Sequence, residues 1–226
     1  MALADGLFDC ATVQGGSPDW VLKNLNGTMA FVPSAGVAET TTTGTHWTGA
    51  KDGTLTDDAN WSAGAPASGL DAVLAFDGIR NTVVTNVLAD GYTAKQLYFT
   101  EAAGPFTLRG TPIRLANTAS TINVNAGTYD CAVAAVRGNY FPVVLETDVV
   151  VPEAQYNLTV ANAGYSYVAF MGDVDAKSSK FTIFGDVRVG GNFICNKFAY
   201  LTNTANTDRP TMLTVMDGAT FTVKTA

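Results

Sequence analysis

The densest group of side chains with types and spacing suited to chemistry lies between Asp52 and Asn60. Asp52, Asp57, Asp58 and Asn60 crowd oxygen-bearing side chains into one short stretch. They are candidate calcium ligands, since Ca²⁺ gathers roughly six to eight oxygens from carboxylates, amides and carbonyls. The order is not that of an EF-hand, and the same residue types build ordinary solvated turns, which is the simpler reading. No other cofactor is expected. Trp47 and Trp61 flank the group. Their rings are candidates for stacking on a sugar; the competing and favoured role is to shield the start of a hydrophobic core.

Other reactive side chains are scattered. His46 is the single histidine, so any Ser-His-Asp or Cys-His unit would have to use it. No Gly-x-Ser-x-Gly elbow accompanies it, and one histidine without nearby Cys or carboxylate help does not make a common zinc site. Cys10, Cys131 and Cys195 are odd in number and far apart. At most one disulfide forms within the chain, no zinc spacing is present, and buried small apolar residues are expected. Glu146 with Asp148, and Asp173 with Asp175, place paired carboxylates on one face of a strand. Such pairs hydrolyse glycosides when held about 5–5.5 Å or about 6.5–9.5 Å apart, a separation that only a fold can supply. Lys177, Lys180 and Arg188 are the cations near them. Tyr92, Tyr98, Tyr129, Tyr140, Tyr156, Tyr165 and Tyr167 could line a binding face, though no spacing selects them. No catalytic residue is assigned, and the chain reads as a non-enzyme.

The elements that position these residues are strands. Hydrophobic residues make up 47% of the chain and charged residues 15%, a balance that packs a core rather than a disordered tail. Short apolar runs alternate with Gly, Asn and Asp. Among them are 72–76, 82–85, 96–99, 106–108, 112–115, 121–124, 143–145, 148–151, 156–160, 181–184, 187–189 and 213–215. Many alternate with period two, rich in Thr and Val, and none sustains a helical period. The fold class is therefore all-β. An internal echo separates two architectures. Phe106–Leu115, Phe181–Val189 and Leu213–Val223 share a short strand, a Gly-bearing corner and a second short strand. That grammar favours a solenoid, in which the chain turns a corner every few residues and stacks on itself. An antiparallel sandwich or jelly roll is the alternative.

Residues 1–44 form a distinct opening. Trp20–Leu25, Asn26-Gly27 and Thr28–Val32 read as a hairpin closed by a two-residue turn, followed by a threonine-rich linker. Residues 45–226 form the main segment, whose last strand carries no polar cap and so predicts either a longer parent chain or self-association through the end of the stack. The net charge of −7 and the scatter of the 13 basic residues exclude nucleic acid as a partner. No apolar run approaches the ~20 residues of a membrane helix. Met1–Cys10 is not a leader, and the low-charge, Thr/Gly/Asn-rich composition suggests an exported chain whose signal lies outside this sequence.

One stretch is familiar. Trp47-Thr-Gly49, Asn60-Trp61-Ser62, Gly64-Ala-Pro66 and Asp71–Phe76 resemble the opening of proteins with autotransporter-associated β-strand repeats. Asn81–Val87 and Leu97-Tyr-Phe99 resemble the pieces that follow, and residues 168–192 are similar to the repeat itself, though without its lysine. The resemblance spans about residues 45–192. It implies a right-handed parallel β-helix in a long exported bacterial protein. Secretion or surface display, a structural or adhesive role and a glycan or host-surface protein partner are the matching expectations, with no catalytic residues to carry over. A carbohydrate-binding or polysaccharide-cleaving β protein is the rival.

Overall fold

The computed structural model describes residues 20–25, 28–33, 45–116, 121–123, 128–130, 132–136, 139–152, 157–201 and 210–224. The chain forms two compact units, residues 1–41 and 42–226. In the first, β1 (Trp20–Leu25) and β2 (Thr28–Pro33) pair antiparallel with Leu25 opposite Thr28, the register a two-residue turn demands.

The second unit holds the remaining strands: β3 (His46–Trp47), β4 (Val73–Phe76), β5 (Val83–Asn86), β6 (Tyr92–Ala94), β7 (Gln96–Phe99), β8 (Phe106–Gly110) and β9 (Ile113–Leu115). Then come β10 (Thr121–Asn123), β11 (Thr128–Asp130), β12 (Val133–Ala135), β13 (Val143–Leu145), β14 (Val149–Val150), β15 (Asn157–Asn162) and β16 (Val168–Phe170). β17 (Val174–Phe184), β18 (Asp186–Val189), β19 (Asn192–Tyr200), β20 (Met212–Val215) and β21 (Thr220–Val223) complete it. Among the described residues the only helical element is the 3-10 turn Asp58–Asn60, and no helix is long and apolar enough to cross a membrane.

The architecture is all-β with parallel sheets. Apart from the hairpins β1–β2 and β10–β11, every pair of named strands runs parallel. The antiparallel sandwich alternative is corrected. Apart from those hairpins and β3 with β4, strands consecutive in the chain do not pair; instead β4 pairs with β7, β5 with β8 and β6 with β9. Each set of three strands is a tier that hydrogen-bonds to the next. On the six-stranded sheet, Val84, Leu108, Leu145, Phe170, Val189 and Val215 lie in register on successive strands. The eleven-stranded sheet contains two such ladders joined through long strands. β17 meets β14 through Val174 and β15 through Phe181, so one strand serves two sides and the sheet curls around the core.

Period-two alternation explains the core. Leu74, Phe76, Leu97, Phe99, Phe106, Leu108, Val143 and Leu145 all point inward and are buried. Phe76 and Phe99 stack at 4.9 Å on adjacent tiers, and Phe106 closes on Phe76 at 5.1 Å. A second aromatic group, Phe170, Phe181, Phe193 and Phe221, fills the later tiers, with Phe181 and Phe193 4.4 Å apart. The echo seen in the sequence holds in a limited sense: Gly110, Gly185 and Gly218 are all corners with positive φ. They are not the same corner. Gly110 and Gly218 lead from the six-stranded sheet into the larger one, whereas Gly185 leads the opposite way, from β17 into β18.

Candidate functional site

The segment from Thr45 to Gly69 lies over the first tier and touches each of its three sides. β3 pairs with β4 through His46–Ala75 and Trp47–Phe76. Thr54 bridges Thr85 of β5. The Gly69 amide donates to the Thr93 carbonyl of β6, and the Thr93 amide donates to Ser68 Oγ at 2.9 Å. The edges that the first tier would present are thereby paired.

Asn60 is the post of this cap. It is fully buried, and its Oδ1 accepts from the amides of Lys51 and Asp52, both at 2.9 Å. Its Nδ2 donates to Asp52 Oδ1 at 2.8 Å and to the Thr54 carbonyl at 3.0 Å. Trp61 follows, buried, with its indole N–H donating to the Leu55 carbonyl at 2.7 Å. Trp47 is only 1% exposed and donates to the Arg80 carbonyl at 3.2 Å. The two indoles meet edge to face at 5.3 Å, and both pack on Phe76. Gly49 has φ +56, and a Cβ there would sit 2.2 Å from the Arg80 carbonyl oxygen, so this position of the Trp-x-Gly stretch excludes a side chain. Neither tryptophan offers an open face to a sugar ring; the stacking expectation for Trp47 and Trp61 is corrected, because both rings are spent on the core.

The four candidate calcium ligands are each engaged within the cap itself, Asn60 on Asp52 among them. Asp52 accepts from the Thr54 amide and from Asn60, which together hold its carboxyl below the usual range. Asp57 pairs with Lys51 and caps the 3-10 turn through the Ala59 amide; the lysine is the larger cause of its lowered pKa. Asp58 accepts from the Ala65 amide at 2.9 Å. Among the described residues no cluster of three or more His, Cys, Asp or Glu side chains converges on one point.

The other candidates are dispersed. Ser62 Oγ accepts from the His46 amide and lies 3.2 Å from His46 Nδ1, but no carboxylate among the described residues bonds the ring's other nitrogen. Asp148 and Asp173 stand on successive tiers: Asp148 Oδ1 accepts from the Asp173 amide, and Asp173 Oδ1 accepts from the Asn192 amide. Asp175 pairs with Lys177 at 2.7 Å, and Glu146 is exposed. Cys195 is a free buried thiol whose pKa burial pushes up to about 11; Cys10 and Cys131 lie outside the described residues.

Sequence reasoning missed the corner asparagines. Asn86, Asn139 and Asn162 are buried, and each Oδ1 accepts from the amide two residues on. Each Nδ2 donates to carbonyls one tier away, as Asn162 does to Asp186 at 2.9 Å. The recurrence of Asn before a strand break was the available signal. A cleft of about 680 Å³ also opens beside the cap, lined by Pro66, Leu70, Asp71, Val73, Gln96 and Tyr98 among others. Compared with known protein families, curated proteins and solved structures, the chain matches none.

Proposed function

We propose that this chain is a segment of a right-handed parallel β-helix that serves as a non-catalytic structural and adhesive scaffold of an exported, surface-displayed bacterial protein. The observation that carries the reading is the succession of three-strand tiers with parallel, in-register ladders on every side. A strand leading through a crossover to a parallel neighbour is right-handed in nearly all cases, which supports the hand. The resemblance of 45–192 to autotransporter-associated repeats supports the exported setting. Dispersal of the His, Cys and carboxylate side chains into structural hydrogen bonds supports a scaffold over a hydrolase.

Residues 1–44 then form an N-terminal module with its linker, and 45–69 cap the helix. The partner of such a surface is a glycan or a host-surface protein. Self-association through the far end is the second mode: β20 and β21 each pair on one side only among the described residues, and Met212, Val215, Met216 and Val223 are exposed there. The test is incubation of the purified chain with a panel of polysaccharides, reading released reducing ends. No release is expected; robust turnover abolished by an Asp or Glu substitution would sink the reading. Surface labelling of cells carrying the parent protein checks its display.

A further inference from the structure

Where β18 leaves the six-stranded sheet, Gly190 differs from the other tight glycines of the stack. A Cβ at Gly110, Gly172, Gly185 or Gly191 would meet backbone at 2.5 Å or less. Gly190 has no positive φ, and the three atoms nearest to its absent Cβ all belong to methionines: Met171 Cε at 2.6 Å, Met171 Sδ at 2.7 Å and Met216 Sδ at 3.5 Å. Neither backbone conformation nor backbone contact demands glycine there. The ladder explains the meeting. Phe170 pairs with Val189 and Val189 with Val215, so Met171, Gly190 and Met216 follow at one level of three successive tiers. The Gly190 amide donates to the Phe170 carbonyl and the Met216 amide to the Val189 carbonyl, which carries the register into the corner. Neighbouring strands lie about 4.8 Å apart, so a side chain on the middle tier would stand between the two methionines. Glycine leaves that gap open, and both sulfurs lean into it from the surface, with Met171 39% and Met216 40% exposed.

We propose that Met171 and Met216 chelate one soft monovalent metal ion of the Cu(I) class across Gly190. Thioether sulfur is polarisable and uncharged, and it selects Cu(I) over the hard cations that carboxylates hold. Two sulfurs that face one gap from separate tiers supply two ligands to one ion. The setting favours a cation: Asp173 and Asp217 lie within two residues of the methionines, and the chain carries a net charge of −7. Arg188, two residues before Gly190, is held by Asp186, Nη2 to Oδ2 at 3.0 Å. Thioethers bind no proton near neutral pH, so capture at this pair is independent of pH, unlike capture by thiolates or imidazoles. The site goes beyond the scaffold reading: it needs this corner only, whatever protein carries it.

The full chain, isotope-labelled at its methionine methyl groups and with accessible thiols alkylated by N-ethylmaleimide, should be titrated with Ag(I), an air-stable ion of the same softness, and with Cu(I) under ascorbate. Nuclear magnetic resonance reads each methyl signal, and Met171→Leu and Met216→Leu assign the two that matter. Those two are expected to shift together, with one midpoint that is the same at about pH 6 and about pH 8. Either leucine variant should weaken binding at the remaining methionine about tenfold or more, because chelation is lost. Gly190→Ala, whose Cβ is nearest to flexible thioether ends, should keep the parent's circular dichroism and also weaken binding. Zn(II) and Ca(II) should move neither signal. The proposal is overturned if neither signal moves with Ag(I) or Cu(I), if the two titrate with separate midpoints, if one keeps its midpoint after the other methionine is replaced, or if Zn(II) reproduces the shift.

Discussion

Asn60 concentrates four hydrogen bonds in one buried amide. Replacement by Ala strands the Lys51 and Asp52 amides and removes a partner from the Asp52 carboxylate. A buried group left unpaired costs about 1–3 kcal/mol, so Asn60→Ala should destabilise the unit by about 3 kcal/mol. Urea unfolding followed by tryptophan emission reads this directly, since Trp61 is the next residue; an unmoved midpoint would refute the post. Titration adds a second signature. Burial raises the pKa of Cys195 from 9.0 to about 11 and that of Tyr92 from 10.0 to about 12. A raised folded value means stabilisation that is complete below the ordinary pKa and lost as pH climbs through the folded one. Stability should therefore hold to about pH 9 and decline towards pH 11–12. Peptide-resolved alkylation with iodoacetamide at pH 8 should leave Cys195 unmodified in the native protein and label it in urea. Asp52 and Asp57 behave oppositely: their lowered values give stabilisation present above the carboxylate range and lost only as pH falls through the folded pKa.

At the scale of elements, two glycine corners with nearly the same φ make a controlled comparison. Gly185 has φ +81 and would place a Cβ 1.9 Å from the Asn162 carbonyl oxygen; Gly218 has φ +80 with nothing within 4 Å. Left-handed backbone alone costs a non-glycine residue about 1–2 kcal/mol. Gly218→Ala should lose about that much, whereas Gly185→Ala should lose well over 3 kcal/mol, because a β17–β18 corner that cannot close also breaks the tier beneath it. Equal losses in the two variants would show that tier contact adds nothing to the conformational penalty. Most strands were legible from alternation; β7, β13 and β20 match the runs that predict them. β19 was not. Asn192–Tyr200 carries Lys197 and runs across a corner, so its first half alternates burial and its second half does not. A strand shared between two sides of a curled sheet has no single periodicity to detect.

For the molecule as a whole, the asymmetry of the two ends of the stack governs solubility. The first tier is covered on three sides by Thr45–Gly69, with both indoles over Phe76. A chain starting at Leu70 would bare the edges of β4, β5 and β6 together with that aromatic core, and edges of this kind recruit other chains. Size-exclusion chromatography should show the truncated chain in oligomers or aggregates; a stable monomer would refute the capping role. The same cap explains why the Trp47, Asn60 and Trp61 cluster looked chemical in one dimension. Residues that must satisfy a covered end are polar, aromatic and closely spaced, as ligand-binding residues are.

Residue types and their period by themselves determined that this protein is built of short strands and that glycines turn its corners. Those properties are local: side-chain branching, alternation and positive φ act within a few residues. Only the tertiary structure decided which strands meet, that they run parallel, and that the tryptophans turn inward. Val84 and its partner Leu108 are separated by two other strands, and the hydrogen bonds joining them are made by backbone groups common to every residue. The short corner at Gly185 and Asp186 belongs to the same class: it is shorter than the corner over residues 162–167, a relation between distant segments that no single stretch of sequence contains.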